Sequence, residues 1–170
     1  MPADSPRAAA GATPDQATDP VALLRLLLAT TQTAALATLH KGDPAVSMVP
    51  FVVHDGALLL HVSALATHTA DMQAHAAVSL LVVAADDPAV PPQARPRASM
   101  RGDAQFLARD APAYDAARAA YLARFASAAM MFELADFSLV RIVPRAARVV
   151  GGFAQAASVV GERLQEALRP

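Results

Sequence analysis

The chain has 170 residues, a formal net charge of −1, 55% hydrophobic residues and no cysteine. That length suits one domain with a real core. The balanced charge removes the basic field that nucleic-acid binding needs. The missing thiols exclude disulfides, thiolate metal sites and a cysteine nucleophile, so any redox chemistry requires a bound cofactor.

Residues 1–18 (MPADSPRAAAGATPDQAT) combine Ala, Pro, Asp and Thr with no apolar core and no signal-peptide h-region. They read as a disordered N-terminal tail. The most apolar run, 21–29, carries Arg25 and is too short to cross a bilayer. The expectation is a soluble cytoplasmic protein with neither membrane nor nucleic-acid partners.

Asp19 and Pro20 supply an N-cap and a first-turn proline, which predicts a helix over 21–32. Its leucines point all round, so burial on two sides is expected, with a subunit interface as the natural second surface. Residues 34–40, 45–54 and 57–62 read as three strands joined by turns at Lys41-Gly42-Asp43-Pro44 and Asp55-Gly56. A short helix over 67–75 follows, then an apolar strand over 77–84. A loop holds Pro88, Pro91, Pro92 and Pro96, and residues 97–107 form a long alternating strand. Asp110 and Pro112 are expected to start a helix that runs to about Phe125. Residues 126–134 are less regular. A strand over 137–143 should be broken by Pro144, with extended chain resuming at 148–150, Gly151-Gly152-Phe153 punctuating it, and a last helix over 159–168. About six strands at turn-sized gaps fit a small antiparallel barrel flanked by helices.

The stretch Leu58 to Met72 is the most informative. An apolar strand runs into Ser63, Thr67, His68 and Thr69 and then a helix start. Free backbone N–H groups, the helix dipole, hydroxyls and an imidazole together suit an anion such as phosphate. An ordinary Ser/Thr N-cap explains the same residues. On the 97–107 strand, alternation puts Arg97, Ser99 and Arg101 on one face, which suits either a phosphate clamp or a solvated face. Ser47-Met48-Val49-Pro50 reads as plain packing, and Gly151-Gly152 allows either a close ligand approach or a turn. Asp136 is a candidate acid or base, or simply the first residue of a strand. His40 and His54 flank turns and are expected to be solvated. No HxxxH or HExxH pattern and no G-x-S-x-G occurs, so neither a metal site nor a catalytic triad is expected.

Taken together, SMVP at 47–50, LLHVSALATHT at 59–69, VSLL at 78–81, PRASMRG at 96–102, DFSLVRIVP at 136–144 and VVGGF at 149–153 resemble the FMN-binding split barrels related to pyridoxamine 5′-phosphate oxidase. The likeness is strongest to their haem-utilisation branch. It implies a mainly β (α+β) fold with flanking helices, a six-stranded antiparallel split β-barrel that forms a homodimer with FMN at the subunit interface. Residues 19–156 would be the split-barrel domain and 157–170 a C-terminal helix. The backbone of Ser47, Met48, Val49 and Pro50 would lie along the isoalloxazine. Ser63, His68 and Thr69 would hold the phosphate, Arg97 would contact the flavin, and Gly152 and Phe153 would approach from the second subunit. An FMN-dependent oxidoreductase is the function implied first, with no catalytic residue assigned. A haem-binding or haem-degrading protein of iron acquisition is the alternative, and a cofactor-free dimeric module a third. Relatives of the haem branch ligate iron through a histidine near the C-terminus, whereas the last histidine here is His75.

Overall fold

The computed structural model describes residues 19–153 and 155–169, so the expected tail at 1–18 lies outside the described residues. In chain order the regular elements are α1 (Pro20–Thr30), β1 (Thr33–His40), β2 (Asp43–Pro50), β3 (Val52–His54), β4 (Ala57–Ser63), α2 (Thr67–Ala74) and β5 (Ala77–Val83). They continue with β6 (Arg97–Leu107), α3 (Tyr114–Arg124), α4 (Ala129–Phe132), β7 (Phe137–Gly152), β8 (Gln155–Val160) and α5 (Gly161–Ala167). All strand pairs are antiparallel. The described strands form an 8-stranded sheet in the order β2-β1-β5-β6-β7-β4-β3, with β8 also on β7.

This is a mainly antiparallel sheet with flanking helices, as expected, but with more strands than the expected six. Three local features depart from the expected elements. Phe51 leaves the sheet ladder to donate its backbone N–H to Gln32 O at 3.1 Å, which splits the expected 45–54 strand into β2 and β3. Pro144 does not end β7. The register slips where Arg101 pairs with Ala146 and Gly102 with Pro144, so Arg145 is the extra residue of a bulge that accommodates the missing proline N–H. Gly102 makes this possible, because a Cβ there would sit 2.4 Å from Val143 O. Finally, Gly151 and Gly152 extend β7 into a hairpin with β8, and α5 starts at Gly161 with φ +58 rather than at Val159.

The turns follow the sequence closely. Lys41 and Gly42 have φ of 53 and 94, and Asp55 and Gly56 have 48 and 68. Both dipeptides thus take the positive-φ geometry that matches strand twist in a tight hairpin. Asp19 caps α1, accepting from Val21 N at 3.2 Å and Ala22 N at 3.3 Å. Asp110 does not cap α3, which begins at Tyr114 with no side-chain cap.

Two apolar layers sandwich the sheet. Leu58, Leu60 and Val62 of β4 face the main core with Leu24, Leu28, Leu36, Leu80, Met100 and Ile142. Leu59 of the same strand faces a second core under α3 and α4, with Tyr114, Tyr121, Phe132 and Leu139. Burial on both faces explains why β4 reads as an unbroken apolar run. The second surface of α1 is α5 within the same chain: Leu23, Leu24, Leu27 and Leu28 share the main core with Leu164, Ala167 and Leu168. Each fully buried leucine there contributes roughly 1.5–3 kcal/mol.

Candidate functional site

At the end of β4 the hydroxyls are already engaged. Ser63 Oγ donates to Asp136 Oδ2 at 2.7 Å and accepts from Leu65 N at 3.1 Å. Thr69 is buried, and its Oγ1 donates to Ser63 O at 2.7 Å. Ala64 N donates to Asp136 O at 2.7 Å, so Asp136 fixes the turn through its side chain and its backbone together. The helix that follows is capped at Ala66 without a side-chain bond, so neither Ser63 nor Thr67 acts as the cap. Burial holds the His68 imidazole below its ordinary value, outweighing the upward pull of Asp71. A neutral ring near the Asp71 carboxylate differs from the cationic His68 that a phosphate cradle needs.

One turn further along α2 lies a polar cluster that sequence reasoning missed. Asp71 is buried, and both of its carboxylate oxygens are occupied. Thr38 Oγ1 donates to Oδ2 at 2.8 Å, and His40 Nδ1 lies 2.8 Å from Oδ1. Burial would raise the Asp71 pKa, but the hydrogen bonds from His40 and Thr38 bring it below the usual carboxylate value. Asp71 is therefore ionised at neutral pH, and His40 Nδ1 must be the donor. His40 is thus anchored rather than freely solvated. The sole sequence signal is parity: Thr38 and His40 are two apart on β1 and share a face.

His61 occupies a different environment. Its ring stacks on Phe132 with centroids 3.8 Å apart and planes within 8°, and it meets Phe137 at 5.0 Å and Tyr121 at 5.6 Å. Both ring nitrogens are buried without a hydrogen-bond partner. Burial, and then the charge of Arg109, push its pKa down to about 4. Arg109 organises the cover of this cluster by donating to Phe132 O at 3.2 Å, Leu134 O at 2.7 Å and Phe137 O at 3.2 Å. Burial likewise pushes the Tyr121 hydroxyl up to about 12.

The remaining expected site residues lie elsewhere. Ser47 to Pro50 belong to β2, an end strand of the sheet, with Val49 buried and Met48 70% exposed. Pairing puts Met48 opposite Ala35, Ala35 opposite Leu81, Leu81 opposite Ser99 and Ser99 opposite Arg148, in one row across the outer face. This face is apolar at Leu39, Val46, Met48 and Leu81, all exposed. It becomes basic at Arg97, Arg101 and Arg148, none of which has a carboxylate partner among the described residues. Arg97 Nη1 donates to Gln93 O at 3.1 Å and Arg95 O at 3.0 Å. Gly152 pairs with Gln155 at the β7–β8 hairpin, where Phe153 is 84% exposed. Ser63 pairs with Phe137 at the start of β7, whereas Arg97 pairs with Val150 near its end. One subunit therefore places Ser63 and Arg97 at opposite ends of the β7 ladder.

An antiparallel sheet of this order, with helices on both faces and a short helix after β4, defines the split-barrel class. Residues 22–151 match the family model described as pyridoxamine 5′-phosphate oxidase, and the chain belongs to that family. It is 38% identical over 128 residues to the chloroplastic non-canonical heme oxygenase HOZ of Arabidopsis thaliana, a match covering 75% of this chain and 38% of that protein. The structure of a heme binding protein from Mycobacterium smegmatis superposes with a TM-score of 0.79 at 30% identity, over 86% of this chain and 60% of that one. HutZ, the heme storage protein of Vibrio cholerae, gives a TM-score of 0.64 at 26% identity, over 72% and 87% respectively. The chain thus spans well under two thirds of the plant protein's length. Among the described residues, no helix is long and apolar enough to cross a membrane.

Proposed function

We propose that this protein binds haem. The observation that carries this reading is the state of the pocket after β4. A flavin phosphate placed among Ser63, His68 and Thr69 would find two hydroxyls already donated to protein oxygens, the Asp136 carboxylate 2.7 Å from the Ser63 hydroxyl, and a His68 held neutral. The Asp136 carboxylate repels a dianion, and the engaged hydroxyls and neutral imidazole offer it no cation and no free hydroxyl donor. FMN as the family's cofactor, with an oxidoreductase activity, therefore draws support from family membership alone. The haem reading also draws support from the names of the plant, mycobacterial and Vibrio relatives.

A porphyrin needs apolar surface and an iron ligand, and no thiolate exists in this chain. Imidazole is the donor type this chain offers: among the described residues the His40 ring is held at Nδ1 by Asp71, with no hydrogen bond at Nε2. When bound, the iron supplies any redox chemistry, and the chain supplies orientation and charge. The exposed strip of Leu39, Val46, Met48 and Leu81 suits coverage by a second copy of this chain, which is the homodimer the family likeness implies. Such a copy is also what could bring Arg97 of one subunit toward the Ser63 end of the other.

The test is the spectrum of the protein purified from cells supplied with a haem precursor. A Soret band that co-elutes with the protein is the expected result. A yellow protein that releases FMN on denaturation would overturn the proposal.

A further inference from the structure

We infer that a cleft where the C-terminal ends of α1, α3 and α5 meet β3 binds a small amphipathic carboxylate. The acyl tail lies against apolar side chains and the acid group on arginine. The cleft has a volume of about 300 Å³, and none of its lining residues belongs to the Ser63–Asp136 or His40–Asp71 groups. Leu28 and Ala29 of α1, Val53 of β3 and Ala167 of α5 form its apolar wall, with Leu28 and Ala167 buried. Its charged groups are the guanidiniums of Arg25, Arg124 and Arg169, with no acidic residue in the lining.

Two of the three guanidiniums are fixed by backbone. Arg25 Nη2 donates to Glu166 O at 2.8 Å, and Arg124 Nη2 donates to Ala29 O at 3.2 Å and Thr31 O at 2.6 Å. The Arg124 guanidinium also lies over the Phe51 ring, 5.8 Å from its centroid. These bonds satisfy carbonyls at the ends of α5 and α1, an ordinary structural task for arginine. They use one terminal nitrogen of each group, and a guanidinium has five N–H donors, so donors remain on both. Capping explains neither Arg169, whose side chain has no bond among the described residues, nor the apolar wall beside it. Glu166 Oε1 lies 3.8 Å from Arg25 Nη2, beyond hydrogen-bond range. Arg124 and Arg169 have no carboxylate partner among the described residues.

The size of the cleft selects the ligand. At about 30 Å³ per water-sized group, 300 Å³ holds on the order of ten non-hydrogen atoms, which is too small for a porphyrin or an isoalloxazine. A carboxylate with a tail of about eight carbons fills it. The planar acid matches the guanidinium fork in a bidentate pair, and the tail covers Leu28, Val53 and Ala167. This site is independent of the haem reading.

Isothermal titration of the full-length protein with octanoate, octanol and acetate separates the head from the tail. Octanoate should bind at one equivalent with a sub-millimolar Kd, and octanol and acetate should each bind at least about tenfold more weakly. In methyl-labelled protein, the shifts that octanoate induces should concentrate at Leu28, Ala29, Val53 and Ala167. Arg169→Ala alters an exposed side chain without bonds, so it should weaken octanoate about tenfold and leave octanol unchanged. Ala29→Glu, at an exposed position of α1, sets a rival carboxylate beside the arginines and should abolish octanoate binding. Should Ala29→Glu melt well below the wild type, Arg169→Ala and the methyl shifts decide the matter. Absence of octanoate binding in the millimolar range, octanol binding as tight as octanoate, methyl shifts elsewhere, or undiminished affinity in Arg169→Ala each overturns the inference. Hemin titration is unaffected by any of these results.

Discussion

His61→Phe should make the protein more stable and flatten part of its acid sensitivity. The native imidazole has a pKa of about 4 against an ordinary value of 6.5. Between those values the unfolded chain binds a proton that the folded chain does not, so stability rises with pH through this window. The contribution is complete above about 6.5 and is lost as pH falls through about 4. A shift of that size corresponds to at most about 3.4 kcal/mol between the two limits, and partial solvent exposure reduces it. At neutral pH the two nitrogens have no partner, and phenyl in a stack of Phe132, Phe137 and Tyr121 removes that cost. Removing unsatisfied polar atoms by a near-isosteric apolar group is expected to gain about 1 kcal/mol. Urea denaturation of both proteins at pH 7 and pH 5 measures the two effects, and other titrating groups cancel in the difference. Equal pH dependence in the two proteins would refute the claim that His61 is held neutral by burial.

Two further outcomes follow from the sheet. Gly102→Ala would set a Cβ 2.4 Å from Val143 O and push β7 off the bulge, costing about 2 kcal/mol in chemical denaturation. A loss below about 0.5 kcal/mol would mean that the bulge is not held by that close approach. If the proposed homodimer uses the outer face of β2, Met48→Glu should shift the protein toward monomer in sedimentation equilibrium, with the thermal midpoint of the isolated subunit little changed, because Met48 is 70% exposed there. An unchanged dimer would place the interface on another face.

Much of the fold is legible in the sequence because it is written locally. The Asp19 cap, the positive-φ pairs at Lys41-Gly42 and Asp55-Gly56, and the alternation of Arg97, Ser99 and Arg101 each depend on neighbours within a few residues. The errors fall where distant chain decides. Phe51 breaks β2 from β3 because Gln32 captures its N–H, and Pro144 stays inside β7 because Gly102 yields space on the neighbouring strand. The β8 strand is hidden by its short alanine-rich composition and exists through pairing with β7. The same limit governs the site. The short motif after β4 suggests an anion pocket, but Asp136, 73 residues from Ser63 in sequence, takes the serine hydroxyl. The His40–Asp71 pair spans 31 residues and has no spacing rule that could reveal it.

Haem rather than flavin as the ligand is the central claim, and parallel titrations with hemin and FMN test it most directly. Saturable, micromolar or tighter hemin binding with a Soret shift, and FMN fluorescence left unquenched over the same range, is the predicted result. Tight FMN quenching without any hemin spectral change would contradict it.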